Sequence, residues 1–176
     1  KSMQVQVIET GFQEALATTI TVVQALPKGD RSKEAIELLT EAGVDRIVPW
    51  AASRSIGKGT DKFAITAREA SKQTRRNRIP FVMGVLDAAK IVAEIPNYDL
   101  VIVLHEGAQR KFTEVIKSGS QKVLVIIGPE GGLTDEEVAL FSKAGAQVAL
   151  LGRPIFRSAH AGMAALSGLN AALRIW

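Results

Sequence analysis

The chain has 176 residues, 47% of them hydrophobic and 23% charged, with a net charge of +4, which suits one compact α/β domain or one domain plus a fragment of another. Cysteine is absent, which excludes disulfides and thiolate metal sites, and two histidines argue against a histidine metal site. No apolar run nears the roughly 18 residues of a membrane span and KSMQVQVIET holds no signal-peptide core, so a cytoplasmic protein that uses a cofactor or faces RNA, with neither metal nor membrane, is expected.

MQVQVIE (3–9) reads as a strand with no partner in view, and the first residue is not Met, which suggests that part of the natural protein precedes this stretch. TITVVQAL (19–26) reads as a strand and PKGD as a turn. Asp30 then caps a helix to about Ala42, with Ala35, Ile36, Leu38 and Leu39 as its apolar side and Gly43 at its end. RIVPW (46–50) is a short strand, followed by the basic loop ASRSIGKGT. Residues 61–76 fit a helix with Phe63, Ala67 and Ala70 on one face and Arg68, Lys72 and Arg75 on another. Segment 54–78 carries eight basic residues (Arg54, Lys58, Lys62, Arg68, Lys72, Arg75, Arg76, Arg78) against Asp61 and Glu69, the segregation an anion-facing patch requires.

FVMGV (81–85) and DLVIVLH (99–105) read as strands, with helices near 87–95 and 110–118. KVLVIIG (122–128) is rich in β-branched residues, as a strand buried on both faces needs. The helix after it has Thr134 as N-cap, Glu137 at N3 to close a capping box, Leu133 and Val138 as a hydrophobic staple, and Gly145 as its stop. QVALLG (147–152) is the last strand and 161–175 a final helix crowded with Ala and Gly. Repeated β-α units imply a mostly parallel sheet covered by helices.

In such a sheet ligands bind beyond the strand C-termini, where GPEGG (128–132) stands. Its spacing is neither GxGxxG nor a P-loop, and Glu130 suits a ribose hydroxyl, an amine or a cation better than a phosphate. A plain strand-to-helix turn without ligand is the competing reading. VLHEG (103–107) and LLGRPIFRSAHAG (150–162) end on the same side, so three loops converge at one sheet edge.

Read together, LPKGDR (26–31), EAGVDRIVPW (41–50) with Arg54 and Ser55, EASKQTRRNRIP (69–80), His105-Glu106, IGPEGGLTDEEV (127–138), and LLG with IFR (150–157) resemble the 16S rRNA uridine N3-methyltransferases of the trefoil-knotted SPOUT superfamily. The resemblance runs in order from about residue 19 and implies an α/β, SPOUT-type knotted parallel sheet over 19–176. Residues 1–18 would be the remnant of an N-terminal PUA-like barrel and linker. The knot comes from the resemblance alone, since chain patterns by themselves exclude knots. The resemblance further implies S-adenosylmethionine held by Leu104, His105, Glu106, Gly128, Pro129, Glu130, Gly131, Gly132, Leu151, Gly152, Ile155, Phe156 and Arg157. Arg157 is the first candidate to stabilise the uracil anion, Arg76 or Arg54 the second, and His160 a candidate proton carrier. Arg54, Lys58, Arg68, Lys72, Arg75, Arg76 and Arg78 would meet 16S rRNA in the decoding region of the small ribosomal subunit. A homodimer would share Leu166, Leu169 and Leu173 between core and partner. The last loop departs from the family's usual LG-x-R-(I/V)-L-R-x-E-T-A, since Arg153 and Pro154 are inverted and Ala159 and His160 stand where Glu and Thr are common. Lys72 and Arg75 also replace a usual Glu and Gly. A catalytically impaired RNA-binding relative and a different ribose- or nucleotide-binding α/β domain are the alternatives.

Overall fold

The computed structural model describes residues 3–57 and 59–176. In chain order the elements are β1 (Thr19–Ala25), α1 (Arg31–Glu41), β2 (Arg46–Trp50), α2 (Phe63–Gln73), β3 (Phe81–Val82), α3 (Ala88–Glu94), β4 (Leu100–Leu104), α4 (Phe112–Val115), β5 (Lys122–Ile127), α5 (Asp135–Lys143), β6 (Gln147–Ala149) and α6 (Ser158–Ala172). Every ladder is parallel and the strand order is β3-β2-β1-β5-β4-β6.

The period-2 alternation of the strands sorts their side chains into two cores. Val123, Val125 and Ile127 of β5 join Ile36, Leu39, Phe63, Phe112, Leu166 and Leu169 on the face covered by α1, α2, α4 and α6. Leu124 and Ile126 join Trp50, Ile91 and Phe141 on the face covered by α3 and α5, where Trp50 meets Phe141 edge-on at 5.3 Å between ring centroids. The helix signals behave as their chemistry dictates. Thr134 accepts from Glu137 N, and Glu137 accepts in return from Thr134 N at 2.9 Å. Gly43 and Gly145 take positive φ (94° and 105°) and end α1 and α5 with paired backbone hydrogen bonds to the last turn.

Several elements differ from the sequence reading. Residues 3–17 are exposed and form no strand, and β1, the strand they lead into, already has a neighbour on each side. Asp30 stands at the N-cap of α1 but makes no side-chain cap. Its own backbone is already helical (φ −63°, ψ −19°), which turns its carboxylate away from the free N–H groups. FVMGV is ordered strand only at Phe81–Val82, because three residues (83 to 86) then span the distance of two on β2 (47 to 49). The expected helix 110–118 is a single turn, closed by Lys111 N donating to Glu114 at 3.0 Å, after which Ile116 is extended and leads toward β5. α2 stops at Gln73, so Arg75 leaves the face of Arg68 and Lys72 and takes φ 56° in the following turn. α6 begins three residues earlier than read, which brings Ser158 and His160 into its first turn.

Leu166 and Leu169 are fully buried within the chain, against α1 and the sheet, and only Leu173 is partly exposed. They are therefore not available to a partner subunit. The close α1–α6 approach depends on Gly162. A Cβ there would run into Leu39 and stand 3.0 Å from Ile127. Gly162→Val is expected to lower unfolding stability by about 1–3 kcal/mol through overpacking. An unchanged urea midpoint would mean that α6 does not seat on α1 and β5 this closely.

Candidate functional site

A cleft of about 500 Å³ opens at the C-terminal ends of β4 and β5, walled by the loops that follow β4, β5 and β6. The strand order explains its place. The chain leaves β1 and β4 toward α1 and α4 on the first face and leaves β5, between them, toward α5 on the second, so the sheet edge parts at the end of β5.

The structure brings together all thirteen residues named from the three loops. Leu104, His105 and Glu106 come from the first loop, Gly128, Pro129, Glu130, Gly131 and Gly132 from the second, and Leu151, Gly152, Ile155, Phe156 and Arg157 from the third. The glycines have separate reasons. A Cβ at Gly128 would stand 2.9 Å from Leu133 Cγ, one at Gly131 would stand 3.2 Å from Arg54 Cβ, and Gly132 has φ 73°. The third wall is apolar, with Ile155 and Phe156 exposed toward the opening.

The polar groups of the cleft are partly committed. His105 Nδ1 accepts from Gly107 N at 3.2 Å. Glu130 does not point at an empty ribose-like space, since it accepts from Lys28 N at 3.3 Å and pairs loosely with Arg31 at 3.7 Å. That joins the glycine loop to the LPKGDR turn. Among the described residues the side chains of Glu106 and Arg157 have no hydrogen bond or ion pair, and both line the cleft.

Arg76 and His160 are not in this group. Arg76 lies near the opposite end of the sheet and donates to Thr40 O at the end of α1 at 2.8 Å. Burial lowers its pKa, and nearby Asp45, whose own pKa burial raises, receives Ile20 N at 2.8 Å. This is a structural joint between α2, α1 and β1. His160 turns toward α1 and meets Glu34 at 3.0 Å.

The basic segment is also less free than its charge suggests. Arg54 donates to Gly131 O at 2.9 Å and Leu133 O at 3.4 Å. Lys72 pairs with Glu69 at 2.7 Å. Arg78 bonds Gln13 O at 2.6 Å and lies over the Phe12 ring, while Asn77 also bonds Gln13. Arg68 and Arg75 are exposed without such partners among the described residues, and Lys58 lies outside them.

Sequence reasoning missed four contributors. Arg31, at the start of α1, lines the cleft, and LPKGDR already contained it. Leu133 packs under Gly128. Ser158 Oγ donates to Gly128 O at 2.7 Å and accepts from buried Gln24 Nε2 at 3.0 Å, so the start of α6 is tied to the glycine loop through β1. Nothing in the local pattern flags Gln24, because a polar residue in an apolar strand has no periodic signature. Among the described residues no three metal-binding side chains cluster, and no helix is long and apolar enough to cross a membrane.

Comparison with known proteins agrees with this geometry. A family model described as an RNA methyltransferase domain matches residues 14–170. Ribosomal RNA small subunit methyltransferase E of Mycobacterium bovis is 36% identical over 169 residues, covering 89% of this chain and 64% of the relative. The chain thus spans just under two thirds of that protein's length. The protein of the same name from Bacillus subtilis is 31% identical, covering 92% of this chain and 69% of the relative. Ribosomal RNA small subunit methyltransferase E from Neisseria gonorrhoeae, solved bound to S-adenosyl methionine, superposes with a TM-score of 0.82 at 25% identity, over 88% of this chain and 66% of that one. With a family model matched along most of its length and a cleft built from the loops that carry the resemblance, the chain belongs to the RNA methyltransferase family.

Proposed function

We propose that this chain is the catalytic domain of a 16S rRNA methyltransferase that transfers a methyl group from S-adenosylmethionine to uridine N3 in the decoding region. The observation that carries the reading is the convergence of three strand-end loops, two of them glycine-bearing at the cleft, on one opening with Arg157 at its rim. The relatives named ribosomal RNA small subunit methyltransferase E support it. Residues 1–18 belong in this reading to the end of an N-terminal PUA-like barrel and its linker. Consistent with a trefoil knot, the chain after β6 runs alongside the β4–β5 connection, with Leu150 N donating to Arg110 O and Phe112 N donating to Leu150 O, before it returns to α6 on the first face. The protein acts in the cytoplasm. As a homodimer it would use the outer side of α6, since Leu166 and Leu169 are taken up by the core.

The residues present suit the cofactor. The cleft has the volume of a small-molecule site, and its walls combine apolar side chains with backbone polar groups. Gly152 leaves a cradle that a Cβ would narrow, at 3.5 Å from Phe156. Leu104, Leu151, Ile155 and Phe156 offer the apolar slot an adenine needs. Glu106 and the backbone of 128–132 offer polar partners for the ribose and amino acid portions. S-adenosylmethionine supplies an already activated methyl group. The chain's own tasks are orientation and charge. Uracil N3–H is a weak acid, so the anion must be favoured, and the unpartnered guanidinium of Arg157 is suited to stabilise charge developing on a uracil oxygen. His160, engaged with Glu34, and Arg76, remote in this subunit, are weaker candidates for a part in the reaction. Arg68, Lys72 and Arg75 at the exposed end of α2 are suited to meet RNA phosphates.

A second reading, ligand binding without turnover, draws on the last loop. Ala159 is buried and offers no carboxylate where family members commonly carry Glu. Calorimetric titration with S-adenosylmethionine should show binding that Gly131→Val weakens at least about tenfold, since the valine would meet the Arg54 stem. No binding by the folded wild type would remove the methyltransferase reading. Arg157→Ala should reduce kcat about 10²–10³-fold on small subunits carrying the unmodified uridine, and unchanged turnover would strip Arg157 of its role. Methyl transfer absent in a wild type that binds the cofactor, with the N-terminal domain restored, would favour the second reading. Replacing Arg68 and Lys72 together by Ala should flatten the salt dependence of RNA binding by up to about two in slope, and an unaltered slope would move the RNA surface elsewhere.

A further inference from the structure

Arg54 stands in the basic segment, and its charge alone would assign it to RNA. Its contacts point elsewhere. The side chain crosses 77 positions of sequence to donate from Nη1 to Gly131 O at 2.9 Å, and the same nitrogen approaches Leu133 O at 3.4 Å. These two carbonyls bracket Gly132, whose φ of 73° makes it the sharpest point of the glycine turn. The Arg54 stem also lies along Gly131, where an added Cβ would stand 3.2 Å from Arg54 Cβ. A side chain at 131 would therefore crowd the Arg54 stem, while glycine at 132 answers to its positive φ.

The base of Arg54 is itself held. Ser55 N donates to Ala52 O at 3.0 Å and Ala52 N donates to Ser55 Oγ at 3.2 Å, closing a turn over 52–55. Ser53 N donates to Glu137 Oε1 at 2.8 Å, and the other oxygen of that buried carboxylate accepts from Thr134 N at 2.9 Å. The turn after β2 thus grips the loop at two places, at its apex through Arg54 and at the start of α5 through Glu137. An arginine kept only for phosphates needs neither anchor. Its positive charge is one cause, after the residue's own backbone N–H and the Thr134 hydroxyl, that lowers the Glu136 pKa.

We propose that Arg54 is a positioning residue for the cofactor loop: it clamps the outer side of the glycine turn and so holds the inner side, which lines the cleft, in the shape that receives S-adenosylmethionine. The proposal rests on the cofactor reading above. Arg54 does not touch the reacting atoms. Nη1 carries two N–H donors fixed in the guanidinium plane, whereas a lysine ammonium has rotatable donors on a shorter stem and holds the same two carbonyls in a less fixed geometry, so Arg and Lys are not equivalent here.

The test compares wild type, Arg54→Ala and Arg54→Lys by three measurements. Amide hydrogen exchange without ligand reads the loop, calorimetry with S-adenosylmethionine reads the cofactor site, and the salt slope of affinity for a 16S rRNA fragment reads the phosphate contacts. In Arg54→Ala the amides of 131–134 should exchange faster and the cofactor Kd should rise about tenfold, with the RNA salt slope unchanged. Arg54→Lys should fall between. Unchanged exchange and Kd overturn the proposal, as does an intact Kd with a slope reduced by about one, which would make Arg54 a phosphate contact. A folded wild type that binds no cofactor overturns the functional reading and the cofactor role of Arg54 with it. A wild type that binds, with variants that bind equally well, overturns the proposal alone.

Discussion

The rest of this structure depends on β5 being paired along both edges and buried on both faces. Its ladders run to β1 on one side and β4 on the other, and all but its first residue are buried. A strand so enclosed can release the chain only at its C-terminal end, in the middle of the sheet. GPEGG is that exit. It must turn tightly because Leu133 and Phe141 of the following segment belong to the second core, directly behind the strand. The cleft is the consequence of a central strand whose connection departs to the second face while those of its two neighbours depart to the first.

What then fixes the third wall is a buried polar chain. Gln24, at the end of β1, donates to Ser158, and Ser158 donates to the carbonyl of Gly128. Gln24 Nε2 also serves Ala25 O, while its Oε1 is buried with no partner among the described residues. Such a chain costs more than an apolar contact of equal size unless its geometry is exacting, since an unsatisfied buried acceptor carries a penalty of about 1–3 kcal/mol. Leucine at position 24 could fill the space but could not select one placement for the start of α6. With Ser158 pinned to Gly128, Arg157 must stand one residue outside the helix, at the rim of the cleft. Its freedom from other partners follows from where α6 begins.

The parts legible in the sequence were those set by short-range repeats. The β5 run, the Thr134–Glu137 box and the Gly43 and Gly145 stops each depend on residues within one turn or one strand, and each appears where its pattern lies. The three loops of the cleft were legible because strand-end position in a parallel sheet is a topological rule, and because the resemblance covered them. The failures share another character. α6 starts at Ser158 because of a bond to Gly128, thirty residues earlier, and SAH has no apolar period to announce it. FVMGV loses its strand to a register mismatch with β2 that neither segment shows alone. The 110–118 helix shrinks to one turn because the chain must reach β5. These are long-range constraints, and local propensity yields to them.

Charge was the least legible quantity, for a physical reason. A count of arginines measures the field of a segment far away, where its internal partners are not resolved. At contact distance the partners decide. Arg54 and Arg76 have given hydrogen bonds to carbonyls of the glycine turn and of α1, and Arg78 to that of Gln13 near the N-terminus. Backbone carbonyls leave the positive charge intact, so the segment keeps a long-range field that would draw a polyanion. They do fix the guanidinium planes, so these arginines can meet a phosphate only where the fold already points them. The basic groups at the cleft itself come from elsewhere, from Arg31 on α1 and Arg157 before α6. By their contacts the arginines fall into two sets: Arg54, Arg76 and Arg78, bound to backbone carbonyls, and Arg31 and Arg157, which line the cleft.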